Sequence, residues 1–309
     1  MIDYKILAAG TMALIFTLSL PGGASAAFAS GEVGAAAGTD ISLSLAQNRR
    51  GAGKGGKKKK APRPARVEAG NNPMHPSASR AVQEKAGLFN TGVVPLYPAG
   101  GRCLEIASAF GDQTRYDGSH RVQWANHGYH GGSDISADVG TPLVALADGE
   151  VVHAYSGARL VGHQIIMRHA PEDTGLPIWI YSKYKHFREP PDFAVGERVR
   201  LGQVLGFSGN SGTTGGHFGA EGYPHLHFSI YAARTGQYKS VAKSVIPRDV
   251  FLIDPAALYL LKNRQVYDNH AVRALTAAQK RVEIPYMTET GEVVPAGSRL
   301  IWPFKCTAK

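Results

Sequence analysis

Tyr223-Pro224-His225-Leu226-His227-Phe228-Ser229-Ile230 is the stretch around which the rest of the chain is arranged. Two histidines separated by one apolar residue and followed by an apolar run read as the start of a β-strand. On a strand, residues i and i+2 share a face. Both imidazoles therefore look into one space while Leu226 points the other way. A metal held by one ring would lie within reach of the other. The pair alone is not diagnostic, because 12 histidines in 309 residues supply about half an H-x-H match by chance. Two strand histidines, one packed and one exposed, would give the same letters.

A second stretch, His130-Gly131-Gly132-Ser133-Asp134, adds the other chemistry. A straight strand would hold residues i and i+4 about 13 Å apart, too far for metal bonds of about 2 Å. Two glycines between them let the backbone bend so that imidazole and carboxylate converge. His130, Asp134 and one histidine of the 225/227 pair make an N/N/O set. Three protein ligands leave one position open for water, as in catalytic rather than structural zinc. Spacing does not say which of the two histidines is the ligand.

The surrounding pattern is all-β. Short β-branched and aromatic runs begin near residue 100, punctuated by Gly196, Gly202, Gly206 and Gly209. Residues 141–146 and 151–155 flank Asp148-Gly149, a hairpin signal. Residues 164–168 read as a strand, 171–177 as a turn, and 178–181 as a strand continuing toward Tyr184-Lys185-His186-Phe187. Helical periodicity is absent until Asp254-Pro255. Beyond it, residues 268–281 predict a helix capped by Asp268 or Asn269, and 284–304 a strand pair turning near Thr290-Gly291. Residues 263–309 are too short to bury much alone and are read as an extension packed on the core.

Charge and composition give the address. The formal net charge is +10, yet residues 1–48 carry −2, residues 49–66 carry +9 and the remainder +3. Lys5, an apolar run over residues 6–20 and Ala24-Ser25-Ala26 read as a secretory signal ending at residue 26. The run is shorter than the roughly 20 residues of a membrane span, so no transmembrane segment is expected after cleavage. Residues 27–99 read as a disordered basic linker, with a short helix around 79–87. In an exported chain its lysines meet an anionic envelope surface, and no nucleic-acid partner is expected. Cys103 and Cys306 are the only cysteines. An even count in an oxidising compartment favours a disulfide, here closing a loop of about 200 residues.

In this order the motifs resemble the lysostaphin/LytM-type zinc metallopeptidases: His130-x-Gly132-x-Asp134, then Tyr184-x-His186, then His225-Leu226-His227-Phe228. Gly140-Thr141-Pro142-Leu143-Val144-Ala145, Asp148-Gly149-Glu150-Val151-Val152, the stretch from Val195 to Gly206, and Gly209-Asn210-Ser211-Gly212 agree as well. The resemblance covers roughly residues 100–262. It implies a twisted antiparallel sheet, β-sandwich-like, with the site in a groove across it; the small C-terminal α+β extension after residue 262 lies outside the resemblance. It implies one zinc ion on His130, Asp134 and His227, with His186 and His225 catalytic, acting on the water nucleophile and the developing oxyanion. The reaction it implies is hydrolysis of peptide cross-links in bacterial peptidoglycan, in the periplasm, the envelope or outside the cell.

Three departures stand against that pattern. Phe187 replaces the usual leucine after Tyr-x-His. Ser229 replaces the acid common after His-Leu-His-Phe, which puts a supporting contact to the metal site in question. Residues 215–223, with His217 and Glu221, look inserted and would rim the cleft. His127 is an alternative ligand that the set does not require, and His163 and His169 read as packing or surface residues. The competing function is a non-catalytic wall-binding regulator of another hydrolase. Such relatives typically lack the metal ligands, which this chain retains.

Overall fold

In the computed structural model, residues 70–157, 161–213, 222–261 and 267–309 are described, all within the unit Arg63–Lys309. The expected signal, the Lys-rich block, His217 and Glu221 lie outside the described residues. The first element is the short helix α1 (Arg80–Lys85), N-capped by Ser79, whose Oγ accepts from the Val82 N–H. Strands β1 (Val94–Leu96), β2 (Gly101–Arg102) and β3 (Ile106–Ser108) follow. The linker expected to reach residue 99 is thus structured from residue 70 onward. Apolar burial explains the difference: Leu88 and Phe89 are almost wholly covered, and Thr91 donates to the buried Asp254 carboxylate.

The middle of the chain supplies β4 (Ser133–Ser136), β5 (Pro142–Val144), β6 (Gly149–Tyr155) and β7 (Gln164–His169). A single helical turn, α2 (Pro171–Thr174), leads to β8 (Trp179–Lys185), β9 (Arg198–Val199), β10 (Val204–Phe207) and β11 (His225–Ala233). One antiparallel sheet has the order β3-β4-β11-β8-β7-β6-β9. The strands β12 (Tyr238–Val241) and β13 (Ser244–Pro247) pair with each other, and β14 (Phe251–Ile253) pairs with the far end of β11.

The hairpin expected at Asp148-Gly149 does not form. β5 pairs with β10, whereas β6 pairs with β7 and β9. Residues 143–147 are buried throughout, and a half-solvated hairpin arm could not hide five consecutive apolar residues. The run instead crosses the core, and Asp148 turns it from one sheet into the other. Its Oδ1 accepts from the Leu201 N–H at 2.7 Å, and its carbonyl accepts from His169 Nδ1–H at 2.6 Å.

Past residue 254 come α3 (Leu258–Leu261), α4 (Asn269–Arg273), β15 (Arg281–Glu283), β16 (Tyr286–Thr288), β17 (Val293–Val294) and β18 (Lys305–Ala308). Asp268 caps α4 by accepting from the Ala271 N–H. The helix expected to reach residue 281 ends at Arg273, because Thr276 opens a separate turn with Gln279 and the chain then joins β1 as the parallel strand β15. The turn near Thr290-Gly291 joins β16 to β17. β18 lies between β16 and β2, and Cys306 on it is disulfide-bonded to Cys103.

The two faces of the main sheet do different work. Leu226, Phe228, Ile230 and Ala232 of β11 pack with Ile180 and Tyr184 of β8, Ile165 and Met167 of β7 and Ile135 of β4. Trp302 and Phe304 from the C-terminal stretch enter that same apolar cluster. On the opposite face, Ile166, Tyr181 and Tyr231 join Leu88, Val245 and Leu252 in a second cluster. Beside it, the polar residues of β11 line a cavity of about 910 Å³. The period-2 alternation of one strand therefore separates core from groove.

Candidate metal centre

Strand register brings the first two groups together. β4 and β11 are antiparallel, with His227 opposite Asp134 and Leu226 opposite Ile135, so the imidazole and carboxylate rise side by side. His130 stands before β4, and the Gly131-Gly132 pair carries it back over the strand. A Cβ on Gly132 would lie 2.6 Å from the Phe228 carbonyl, 2.7 Å from Ser229 Oγ and 2.9 Å from His227 Nε2. Only glycine lets this segment lie so close to β11.

The three groups converge. Asp134 Oδ1 lies 2.8 Å from His227 Nδ1 and 3.0 Å from His130 Nε2, and the two nitrogens are 3.1 Å apart. All three ligand atoms fall within 4.8 Å of one another. A tetrahedral ion with bonds of about 2.0–2.1 Å has edges of about 3.3 Å, so the donor set fits a metal after small adjustments. His130 Nδ1–H donates to the Ala109 carbonyl at 3.0 Å, which leaves the Nε2 lone pair facing the centre. His130, Asp134, His186 and His225 are each less than a tenth exposed.

Two more imidazoles adjoin this cluster. His225 Nδ1–H donates to the Tyr223 carbonyl at 2.8 Å, and its Nε2 lies 3.4 Å from Asp134 Oδ1. His186, in the left-handed region at φ 71°, donates its Nδ1–H to the Ser211 carbonyl at 2.6 Å. Its ring centroid is 4.8 Å from that of His225 and 5.9 Å from that of His227. Both rings therefore have Nδ1 committed to backbone and Nε2 available as a proton acceptor.

Burial keeps His130, His186 and His227 neutral. Burial pushes His130 down against the pull of Asp134, and takes His227 down to about 3 despite its bond to that carboxylate. Burial, then the neighbouring Lys185, holds His186 well below the ordinary histidine value. For Asp134, burial acts upward, but His130 and His225 hold the carboxyl well below the usual range. An ionised carboxylate among neutral imidazoles is the state a cation requires.

The residues singled out from the sequence, His130, Asp134, His186, His225 and His227, all lie around this one point. Several partners had no signal in the sequence reading. Arg121, in the loop before His130, reaches Asp134 Oδ2 at 3.0 Å and Ser108 Oγ at 2.7 Å, fixing the carboxylate so that Oδ1 faces the histidines. Tyr223 stacks on His225 at 4.3 Å between centroids. Ser211 Oγ accepts from the His163 N–H, and the His163 carbonyl accepts from the His186 N–H, so a backbone relay positions His186. Ser229 stands where an acid was anticipated, and its Oγ lies 3.1 Å from His227 Nε2. The contact questioned on sequence grounds is therefore made by a hydroxyl. Phe187 is fully buried, with Gly206 leaving it room. His127 bonds the Ala78 carbonyl through Nε2 and serves the N-terminal segment instead of the metal centre.

Residues 128–240 match the model of "Peptidase family M23". Glycyl-glycine endopeptidase ALE-1 of Staphylococcus capitis is 34% identical over 107 residues, 33% of this chain and 25% of that protein. Peptidoglycan DD-endopeptidase ShyC of Vibrio cholerae is 35% identical over 101 residues, 33% of this chain and 20% of that protein. The matches thus span a quarter or less of these two relatives' length. Among solved structures, the catalytic domain of lysostaphin from Staphylococcus simulans is 27% identical, with 42% of this chain and 78% of that one covered at a TM-score of 0.30. No helix among the described residues is long and apolar enough to cross a membrane. Residues 128–240, which build the His-Asp-His cluster, are thus similar to the M23 peptidase family and carry the motifs of its lysostaphin/LytM-type members.

Proposed function

We propose that this chain is an exported zinc metalloendopeptidase that hydrolyses peptide cross-links of bacterial peptidoglycan. The observation that carries the proposal is the convergence of His130 Nε2, Asp134 Oδ1 and His227 Nδ1 beside two imidazoles whose Nδ1–H groups are tied to carbonyls. Two neutral imidazoles and one carboxylate suit zinc, whereas magnesium and calcium take oxygen ligands. One zinc ion held there supplies a Lewis acid and lowers the pKa of water to about 7.

The chain's own groups supply the rest. His225 Nε2 takes the proton of the attacking water and returns it to the leaving amine. His186 Nε2 accepts a hydrogen bond from the same water and orients it, and the imidazolium formed at His225 donates to the developing oxyanion before it passes its proton on. Arg121 holds Asp134 Oδ2, so the carboxylate presents a single oxygen to the centre. The printed names of the two relatives, a glycyl-glycine endopeptidase and a peptidoglycan DD-endopeptidase, support a wall peptide as the target. In this reading the peptidase domain spans residues 100–262, the signal 1–26 directs export, and the Lys-rich segment holds the enzyme near an anionic envelope surface.

Paired variants test the reading. His130→Ala should lose bound zinc and turnover together. His225→Ala should keep its zinc and lose turnover by about 10²–10⁴-fold. Equal zinc loss in both would overturn the division between ligand and base.

A further inference from the structure

The floor of the groove carries two cations that the proposed chemistry does not use. Along β8, Ile180 and Tyr184 enter the principal core, while Lys183 and Lys185 line the same cavity as His130, Asp134, His186 and His225. Register places them closely: Lys185 lies between His227 on β11 and Gln164 on β7, and Lys183 between Ser229 and Ile166. Adjacent strands are about 4.8 Å apart, so both side chains spring from the floor within one or two residue lengths of the metal centre.

Among the described residues neither lysine makes an ion pair, and both are only partly exposed. The two acids that line the cavity among the described residues are already engaged. Asp134 gives Oδ1 to the histidines and Oδ2 to Arg121, and Asp117 Oδ1 accepts from the Ser119 N–H and Oγ. The other guanidinium in the cavity, Arg115, is held by Ser119 Oγ and the His120 carbonyl. Two neighbouring ammonium groups facing a cleft repel each other and are costly to desolvate unpaired, a cost that a bound anion would remove.

We propose that Lys183 and Lys185 form an anion subsite that receives a free carboxylate of the substrate peptide within about two residues of the bond that is cut. The inference rests on the hydrolase reading and adds its selectivity: acidic wall peptides are preferred over amidated or purely neutral ones. The lysines act as binding groups through charge-assisted hydrogen bonds and take no part in proton transfer.

The test measures binding to the full chain. The probes are a D-alanyl-D-alanine-terminated peptide containing one glutamate, its C-terminal carboxamide, and its glutamine counterpart. The free acid should bind at least about tenfold more tightly than one of the two neutralised forms, the smaller end of what a hydrogen bond to a charged group contributes. Whichever form loses affinity identifies the α-carboxylate or the side-chain carboxylate as the group received. The Lys183→Met/Lys185→Met double variant, which retains the apolar stems, should abolish that preference, and Lys185→Arg should retain it. Equal binding of all three probes, or a preference that survives the double variant, overturns the subsite. A chain that cleaves wall peptides yet binds the three probes equally leaves the hydrolase standing without the subsite. A chain that prefers the acid through the lysines yet cleaves nothing does the reverse.

Discussion

Ser229→Ala isolates a single contact behind the metal centre. Ser229 is 2% exposed, and its Oγ lies 3.1 Å from His227 Nε2 while His227 Nδ1 faces Asp134 at 2.8 Å. With Nδ1 on the metal, Nε2 carries the proton and donates to the hydroxyl, which fixes the tautomer and the ring orientation. Removing such a partner typically lowers metal affinity 10–100-fold, or about 1.4–2.7 kcal/mol. Alanine removes one oxygen, so the packing change is small and the loss should appear in zinc binding far more than in metal-free stability. A competitive zinc titration, paired with thermal unfolding with and without metal, separates the two. Zinc affinity within twofold of the parent would refute the account of how His227 is held. Ser229→Asp, which restores the acid usual at this position in the family, should raise affinity above the parent.

Two further predictions concern the scaffold. Gly132→Ala should force β4 away from β11, because its Cβ would sit 2.6 Å from the Phe228 carbonyl. A loss of about 1–3 kcal/mol together with weakened zinc binding is expected in urea melts and titrations, and parent-like values of both would contradict the close approach. His169, buried between the Asp148 carbonyl and Ser182 Oγ, is pushed down by burial from 6.5 to about 4. The unfolded chain then binds the extra proton between those values, so this contribution is intact above pH 6.5 and is lost as pH falls toward 4, by about 3 kcal/mol. His169→Gln should flatten that part of the stability-versus-pH curve, and an unchanged slope would remove His169 as its source.

Local pattern carried much of the fold because its information was local. Alternation along residues 225–233 separates core from groove, and Ser79 and Asp268 cap helices through their own side chains. Pairing was less legible. β5 meets β10 across some sixty residues of chain, and nothing in Asp148-Gly149 distinguishes a hairpin from a corner between sheets. The expected helix over residues 268–281 had the right periodicity but was cut short by β15 pairing with β1, where Arg281 meets Val94 across most of the described chain. At the centre, the five residues with motif spacing were legible. Arg121 and Ser211 were not, because an arginine in an irregular loop and a backbone carbonyl leave no periodic trace. Lys183 and Lys185 share a face by simple alternation, but that neither makes an ion pair among the described residues depends on where Asp134 and Asp117 spend their oxygens.

Digestion of purified peptidoglycan, with mass analysis of the released fragments, bears most directly on the proposed activity. The zinc-loaded chain should release fragments cut at peptide cross-links, leaving glycan strands intact, and His225→Ala with its zinc retained should release none. A zinc-loaded parent that frees no cross-link fragments, or a His225→Ala variant that frees as many as the parent, would contradict the account.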